Sequence, residues 1–262
     1  MQVPILDQYR LEAPSPQALV DLFKGEWSSA LPPVGHTTLL SGQAGLFDDA
    51  RIRLLNEKYP LYGRHVLELG PLEAGHTYMM HQLGARHITA VEANARAYLK
   101  CLLVKELYQL NRTSFLHGEV MAYLAETEQR FELCVASGIL YHMSDPAGFL
   151  ERCAAVADRL FIWTHYAIPE TFAQHPVLKD KITGSEPAGF RGYDYTLYHY
   201  AYQDALGWEG FCGGTAPTCR WITREAITAI LERCGYNTVH VLFDEPEQHP
   251  NGPHLCLLAE KG

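Results

Sequence analysis

Val66-Leu67-Glu68-Leu69-Gly70-Pro71-Leu72-Glu73-Ala74-Gly75-His76-Thr77 is an apolar run that breaks at glycine and proline and then opens a helix. Small residues at such a turn let the backbone approach a ligand closely, and the first N–H groups of the following helix have no intrahelical partner. Twenty-two residues beyond Gly70, a second apolar run ends in Val91-Glu92-Ala93-Asn94. An acid at the tip of a second strand, about 20 residues from a glycine turn, is placed to accept both hydroxyls of a ribose. His117-Gly118-Glu119-Val120 closes a third run and Ser137-Gly138-Ile139-Leu140-Tyr141-His142 a fourth. A doubly wound fold gathers such strand ends at one crevice.

Around this centre, apolar runs at His65–Leu69, 87–91, 114–116, 131–136 and 160–164 alternate with amphipathic stretches. That is the pattern of a parallel sheet covered by helices. In 95–110, Leu99, Leu102, Leu103, Leu107 and Leu110 form one helical stripe, expected to face the core. Asp145-Pro146 is a cap and a first-turn proline opening a helix to about Ala157. Thr223 caps another, which Cys234-Gly235 closes before strands at 238–243 and 254–259. Two consecutive terminal strands predict an antiparallel edge. Ahead of the sheet, Ser15-Pro16 opens a short helix to about Lys24, Pro32-Pro33 marks a loop, and Asp49 caps a helix to Lys58. The expected fold is α/β: a doubly wound, mostly parallel seven-stranded sheet with an antiparallel edge strand. Residues 1–60 form a helical extension and 61–262 the main domain, with 166–219 inserted after strand five on the substrate side.

The 262 residues carry a formal net charge of −9. That lacks the basic excess that marks binding through a phosphate backbone, so nucleic acid is disfavoured as a partner. The longest apolar stretches, 99–104 and 133–140, fall far short of the roughly 20 residues that cross a bilayer. Met1-Gln2-Val3-Pro4 has no basic or apolar leader character, so the expected compartment is the cytoplasm. Cys101, Cys134, Cys153, Cys212, Cys219, Cys234 and Cys256 include no Cys-x-x-Cys pair and read as reduced, buried thiols. Neither His249 with His254 nor His76 with His81 has acidic or thiol company at a metal-ligand spacing, and no metal is expected.

Acid-x-Gly, an acid after strand two, an acid after strand three and Gly-Ile-Leu-Tyr-His after strand four together resemble the class I methyltransferases that use S-adenosylmethionine (SAM). The resemblance covers roughly residues 60–165 and, more weakly, the C-terminal helix and strands. Within that superfamily the Gly138–His142 segment, Phe131 and His76 are similar to the tRNA wobble-uridine carboxymethyltransferases and their relatives. The resemblance implies that Glu68, Gly70 and His76 flank the methionine end of SAM, Glu92 the ribose, Glu119 and Val120 the adenine, and Ser137 the sulfonium. Pro71, Leu72, Gly75 and Thr77 at the turn, Ala93 and Asn94 at the second strand tip, and Gly118 and Gly138 complete the candidate cofactor contacts. The match departs at Leu72 and Ala74, where the family usually carries glycine. A dinucleotide dehydrogenase needs a middle glycine for its pyrophosphate, and Leu72 blocks that approach.

Methyl transfer is an in-line displacement at an activated carbon, so alignment in a dry pocket supplies much of the rate. Tyr141 and His142 at the fourth strand end and His165 at the fifth are the catalytic candidates. An imidazole with its ordinary pKa near 6.5 suits proton removal at neutral pH, which favours His142 as base. The 166–219 insertion is rich in tyrosine and glycine, and Tyr166, Tyr195, Tyr198 and His199 are its candidate acceptor contacts. Its plainer reading is a hairpin, with Tyr198, Tyr200 and Tyr202 on one face. The leading expectation is methyl transfer to a small-molecule acceptor, with S-adenosylhomocysteine (SAH) as product. The alternatives are tRNA wobble-base modification, with SAM or a carboxylated SAM, and a regulatory protein that binds SAM without turnover. The oligomeric state is open.

Overall fold

The structure, a computed structural model, describes residues 9–208, 210–247 and 249–262. Met1–Pro4, on which the leader reading rests, therefore lies outside the described residues. In chain order the elements are α1 (Pro16–Val20), α2 (Ala50–Lys58), β1 (His65–Leu69), α3 (Gly75–Gln82), β2 (His87–Glu92), α4 (Ala95–Leu107), β3 (Thr113–His117), α5 (Val120–Glu126) and β4 (Leu133–Ser137). There follow α6 (Pro146–Val156), β5 (Arg159–His165), α7 (Leu178–Lys181), β6 (Ile182–Phe190), β7 (Tyr193–Ala201), β8 (Thr218–Trp221), α8 (Arg224–Arg233), β9 (Tyr236–Glu245) and β10 (His254–Lys261).

Seven strands make one sheet in the order β3-β2-β1-β4-β5-β10-β9. The first five are parallel, and β10 runs antiparallel between β5 and β9. The antiparallel edge pair is therefore present, with the last strand of the chain on its inner side. Strand order reverses between β1 and β4, which puts a crevice at the carboxyl ends of the parallel strands. Three glycines that follow strands tie those ends together. Gly70 N–H donates to the Val91 carbonyl (2.9 Å), Gly118 N–H to Glu92 (3.0 Å) and Gly138 N–H to Trp163 (2.9 Å).

Alternate strand residues point to opposite faces. Leu67, Leu69, Cys134, Ala136 and Ile162 pack against α5, α6 and α8. Val66, Ile88, Leu133, Val135 and Phe161 pack against α2, α3, α4 and the N-terminal extension, whose Phe23, Trp27, Ile52 and Leu55 share that core. The side chains of Ser15, Asp49, Asn94, Asp145 and Thr223 each accept a backbone N–H at the start of their helices, and Gly235 (φ +93°) follows the end of α8.

Several expectations are corrected. The first helix stops at Val20 and tightens into a 3-10 turn, Asp21–Phe23. Phe131 stands outside β4, making a lone bridge to Ala157. Leu99 and Leu102 are exposed at 48% and 38%; α4 buries Ala97, Lys100, Cys101 and Val104 instead. The helix turns that face inward because the Lys100 ammonium finds the Glu73 carboxylate at 2.9 Å. Cys212 is exposed, unlike the other cysteines, all of which are free.

The insertion is a separate antiparallel sheet, β6-β7-β8. Strand β7 is covered on both faces. Tyr193, Tyr195 and Leu197 pack against the main core, while Tyr198 and Tyr200 join Tyr202, Trp221 and Leu178 in a small core of their own.

Candidate functional site

A cavity of about 540 Å³ opens at the carboxyl ends of the parallel strands. From the first strand turn its wall takes Gly70, Pro71, Leu72, Gly75 and His76; from the second, Glu92 and Ala93. Glu119, Val120, Ser137, Gly138, Tyr141 and His142 follow. Thirteen of the residues expected from sequence thus meet in one space.

Glu92 is its buried charge. Its two carboxylate oxygens accept from Leu72 N–H (3.1 Å) and Asn94 N–H (2.8 Å). Burial raises its pKa above the usual carboxylate range, against the pull of those N–H groups. Leu72 and Ala74, where glycine was expected, adopt left-handed backbone (φ +55° and +59°). The turn keeps the conformation that glycine would ease, at a cost of roughly 1–2 kcal/mol per residue. At Gly75 space is the constraint: a Cβ there would lie 2.7 Å from the Leu46 backbone. The Ser137 hydroxyl oxygen is buried on this wall with no hydrogen-bond partner among the described residues.

Other expected residues serve the wall from behind. Glu68 is buried beneath the turn, accepting from the Thr77 hydroxyl, and burial pushes its pKa to about 7. Asn94 caps α4 from behind the wall, while Glu119, itself on the wall, caps α5. Burial lowers the His76 pKa despite its 2.9 Å contact with Asp49.

Tyr141 and His142 lie with ring centroids 4.2 Å apart. Burial raises the Tyr141 phenol to about 12 and lowers His142 to about 4, with His165 adding repulsion. Because the ring is desolvated, His142 is a weaker base than the ordinary imidazole expected and is neutral near pH 7. His165 is buried behind the wall, stacked on Trp221 at 5.5 Å, with Nδ1–H donating to the Gly252 and Pro253 carbonyls (3.2 and 3.1 Å). It too is lowered by burial, to about 4.

The four candidate acceptor residues lie off the described cavity wall. The Tyr166 hydroxyl donates to Asp244 at 2.8 Å, and Tyr195 stacks on Tyr193 at 6.1 Å. Tyr198 packs edge-on to Phe172 at 5.3 Å, and His199 sits 3.1 Å from Glu186. What the insertion brings to the wall is Cys212, Gly213, Gly214, Thr215 and Ala216. The N-terminal extension adds Leu46 and Arg51, the latter chelated by Asp49 and lying 4.4 Å over the Trp163 ring. Met121, Ile139, Met143, Ser144 and Trp163 complete the wall. Sequence reading missed Arg51 because it stands in the first turn of a helix before the sheet begins; only folding carries it there. The glycine pair Gly213-Gly214 was the available signal for the loop.

No helix among the described residues is long and apolar enough to cross a membrane. Among the described residues no group of three His, Cys, Asp or Glu side chains is arranged to hold a metal.

No family model matches this chain, and no curated protein matches it by sequence. Solved structures do match it in shape. The N-terminal domain of EvdMO1 with SAH bound aligns at a TM-score of 0.70 and 18% identity, over 94% of this chain and 95% of that one. The 1,6-didemethyltoxoflavin-N1-methyltransferase of Burkholderia thailandensis, with that compound and SAH bound, aligns at 0.55 and 16%, over 83% and 78%. Magnesium protoporphyrin IX methyltransferase from Synechocystis PCC 6803, with bound SAH, aligns at 0.54 and 14%, over 82% of each chain. The sheet order and these likenesses establish a Rossmann-like methyltransferase fold.

Proposed function

We propose that the chain transfers a methyl group from SAM to a small-molecule acceptor. The observation that carries this is the buried Glu92 carboxylate at the tip of β2, on the same cavity wall as the unpartnered Ser137 hydroxyl and the His142 ring. The orphaned hydroxyl and the acid fit a ligand with both donors and acceptors, which SAM is. The solved structures of like fold that hold SAH support the same reading.

In this reading Glu92 accepts the ribose hydroxyls, and Glu119 and Val120 flank the adenine, with Ala93 and Gly118 beside them. Gly70, Pro71, Leu72, Gly75 and His76 enclose the methionine end, and Arg51 offers its carboxylate a positive charge. Ser137 and Gly138 border the sulfonium, while Glu68, Thr77 and Asn94 hold the turns in place. Bound SAM supplies a methyl group already activated for in-line displacement.

Met121, Met143 and Trp163 give the acceptor an apolar wall, and the loop from Cys212 to Ala216 closes it. A neutral His142 is always ready to take a proton but pulls weakly, which suits an acidic hydroxyl such as a phenol or enol, or an amine that needs only orientation. Tyr141, held protonated, serves as a donor. Tyr166, Tyr195, Tyr198, His165 and His199 act through the elements that carry this wall. A net charge of −9 works against a nucleic-acid acceptor.

Calorimetry with SAH on the full chain tests the cofactor reading, with saturable one-site binding as the expected result. Turnover is then sought with SAM and a panel of phenols, enols and amines, alongside bulk tRNA. Absence of SAH binding overturns the proposal, and methylation of tRNA alone overturns the acceptor class.

A further inference from the structure

Leu72 and Ala74 share a left-handed backbone that a Cβ opposes, yet Leu72 stands on the cavity wall and Ala74 is buried off it. The Leu72 main chain is gripped on both sides. Its N–H donates to Glu92 Oε2 at 3.1 Å, and its carbonyl accepts from the Cys101 thiol at 3.4 Å. A strained residue persists where its surroundings over-determine it, and such residues gather at ligand sites. Glycine would adopt φ +55° freely, so what leucine adds at this turn is an apolar side chain on the wall. The same turn has little to offer an anion. Within 70–74, Pro71 has no N–H, Gly70 N–H donates to the Val91 carbonyl (2.9 Å), Leu72 N–H to Glu92 and Ala74 N–H to the Pro71 carbonyl (2.8 Å). A phosphate-binding turn works the opposite way, aiming free N–H groups at its ligand.

We propose that Leu72 is a specificity-determining residue of the cofactor site, selecting a nucleoside with an apolar thioether at its 5′ carbon over one with a 5′-phosphate. The inference rests on the reading of the cavity as a SAM site, with Glu92 on the ribose and the glycine turn around the methionine end. In that arrangement the 5′ sulfur and its methylenes pass the Leu72 side chain. A thioether gains by covering apolar surface. A 5′-phosphate would shed water against that side chain, find the N–H groups of Gly70, Leu72 and Ala74 taken, and be repelled by the buried Glu92 carboxylate. The carboxylate that holds Leu72 in place thus also bars the competing anion.

Calorimetry on the full chain with SAH, 5′-methylthioadenosine and adenosine 5′-monophosphate tests this. 5′-Methylthioadenosine keeps the thioether but lacks the carboxylate that Arg51 would meet, so it isolates the contact with Leu72. The wild type is expected to bind it at least about tenfold more tightly than the monophosphate. Leu72→Ala keeps the Cβ and the backbone strain but removes the apolar branch. It should weaken 5′-methylthioadenosine about five- to tenfold and leave the monophosphate unchanged or tighter. Ala74→Gly, which relieves the same kind of strain off the wall, should leave the preference as it was. Equal loss of both nucleosides in Leu72→Ala would make the residue a mere support of the turn and overturns the proposal. A preference that collapses equally in Ala74→Gly overturns it too. Should Leu72→Ala fail to fold, Leu72→Gly, at ease with the left-handed backbone, is read in the same way. A wild type that binds SAH but holds the monophosphate as tightly as 5′-methylthioadenosine overturns this inference alone. One that does not bind SAH overturns the methyltransferase reading, and the inference with it.

Discussion

At Glu92 one carboxylate both holds the glycine turn, through Leu72 N–H, and faces the cavity. Glu92→Gln keeps the shape but turns one acceptor into a donor, so a ribose hydroxyl loses its charged partner. The expected loss is roughly 1.5–3 kcal/mol, or about 10- to 150-fold in SAH affinity. Calorimetry reads it, and an unchanged affinity would remove Glu92 from the ribose. Asp49 and His76 make a different kind of pair: Asp49 is held well below the usual carboxylate range because His76 and Arg51 outweigh its burial. The pair thereby fixes the position of the Arg51 guanidinium on the wall.

Between elements, the N-terminal extension is pinned to the turn by a buried carboxylate that is also half of an ion pair with α4. Glu73 accepts from Ser28 N–H (3.0 Å), Ser29 N–H (2.8 Å) and the Lys100 ammonium (2.9 Å). Burial alone would raise the Glu73 pKa, but these donors bring it below the ordinary value. Glu73→Ala strands the Lys100 charge and should cost about 3–5 kcal/mol in a denaturant titration. Gly75→Ala sets a methyl against the Leu46 backbone and should cost about 1–3 kcal/mol. It should also weaken SAH, because Leu46 and Gly75 share the cavity wall. Stability loss in Gly75→Ala with SAH affinity intact would mean that the extension braces the fold without shaping the site.

For the whole molecule, buried titratable groups tie stability to pH. His142 and His165 have folded pKa values of about 4, below their unfolded 6.5. The unfolded chain binds protons there that the fold refuses, so the stability present above pH 6.5 is lost as pH falls toward 4. Glu68 acts the other way: its folded value of about 7 exceeds the unfolded 4.5, so its contribution is full below 4.5 and lost as pH rises through 7. His65, His76, His81, His249 and His254 are lowered by burial as well and Glu92 is raised, so the histidines outnumber the carboxyls and predict a net loss on acidification from 6.5 to 4.5, with each group worth at most about 1.4 kcal/mol per pH unit. Thermal melts across this window should show a falling midpoint, and Glu68→Gln should steepen the fall. A midpoint flat or rising toward pH 4.5 would show that these histidines are hydrated in the fold.

The sheet was legible in the chain because strand and helix periodicities, caps and glycine turns are local, and a parallel alternation leaves few ways to stack them. That Gly70, Glu92, Glu119, Ser137 and His142 share one cavity wall was legible for the same reason: each ends or follows a parallel strand, and the fold aligns strand ends. Tertiary structure alone decided what closes over them. Arg51 and Leu46 come from before the sheet and Cys212–Ala216 from beyond it, positions set by packing and, for Arg51, by the Asp49 carboxylate, which no spacing encodes. The tyrosines of β7 show the limit from the other side. Their alternation predicted one shared face for Tyr198, Tyr200 and Tyr202, but which face meets the main core depends on where the inserted sheet lands. Desolvation, too, belongs to the folded state. His142 has the same side chain in any sequence reading, and only its burial turns an ordinary imidazole into a weak, neutral one.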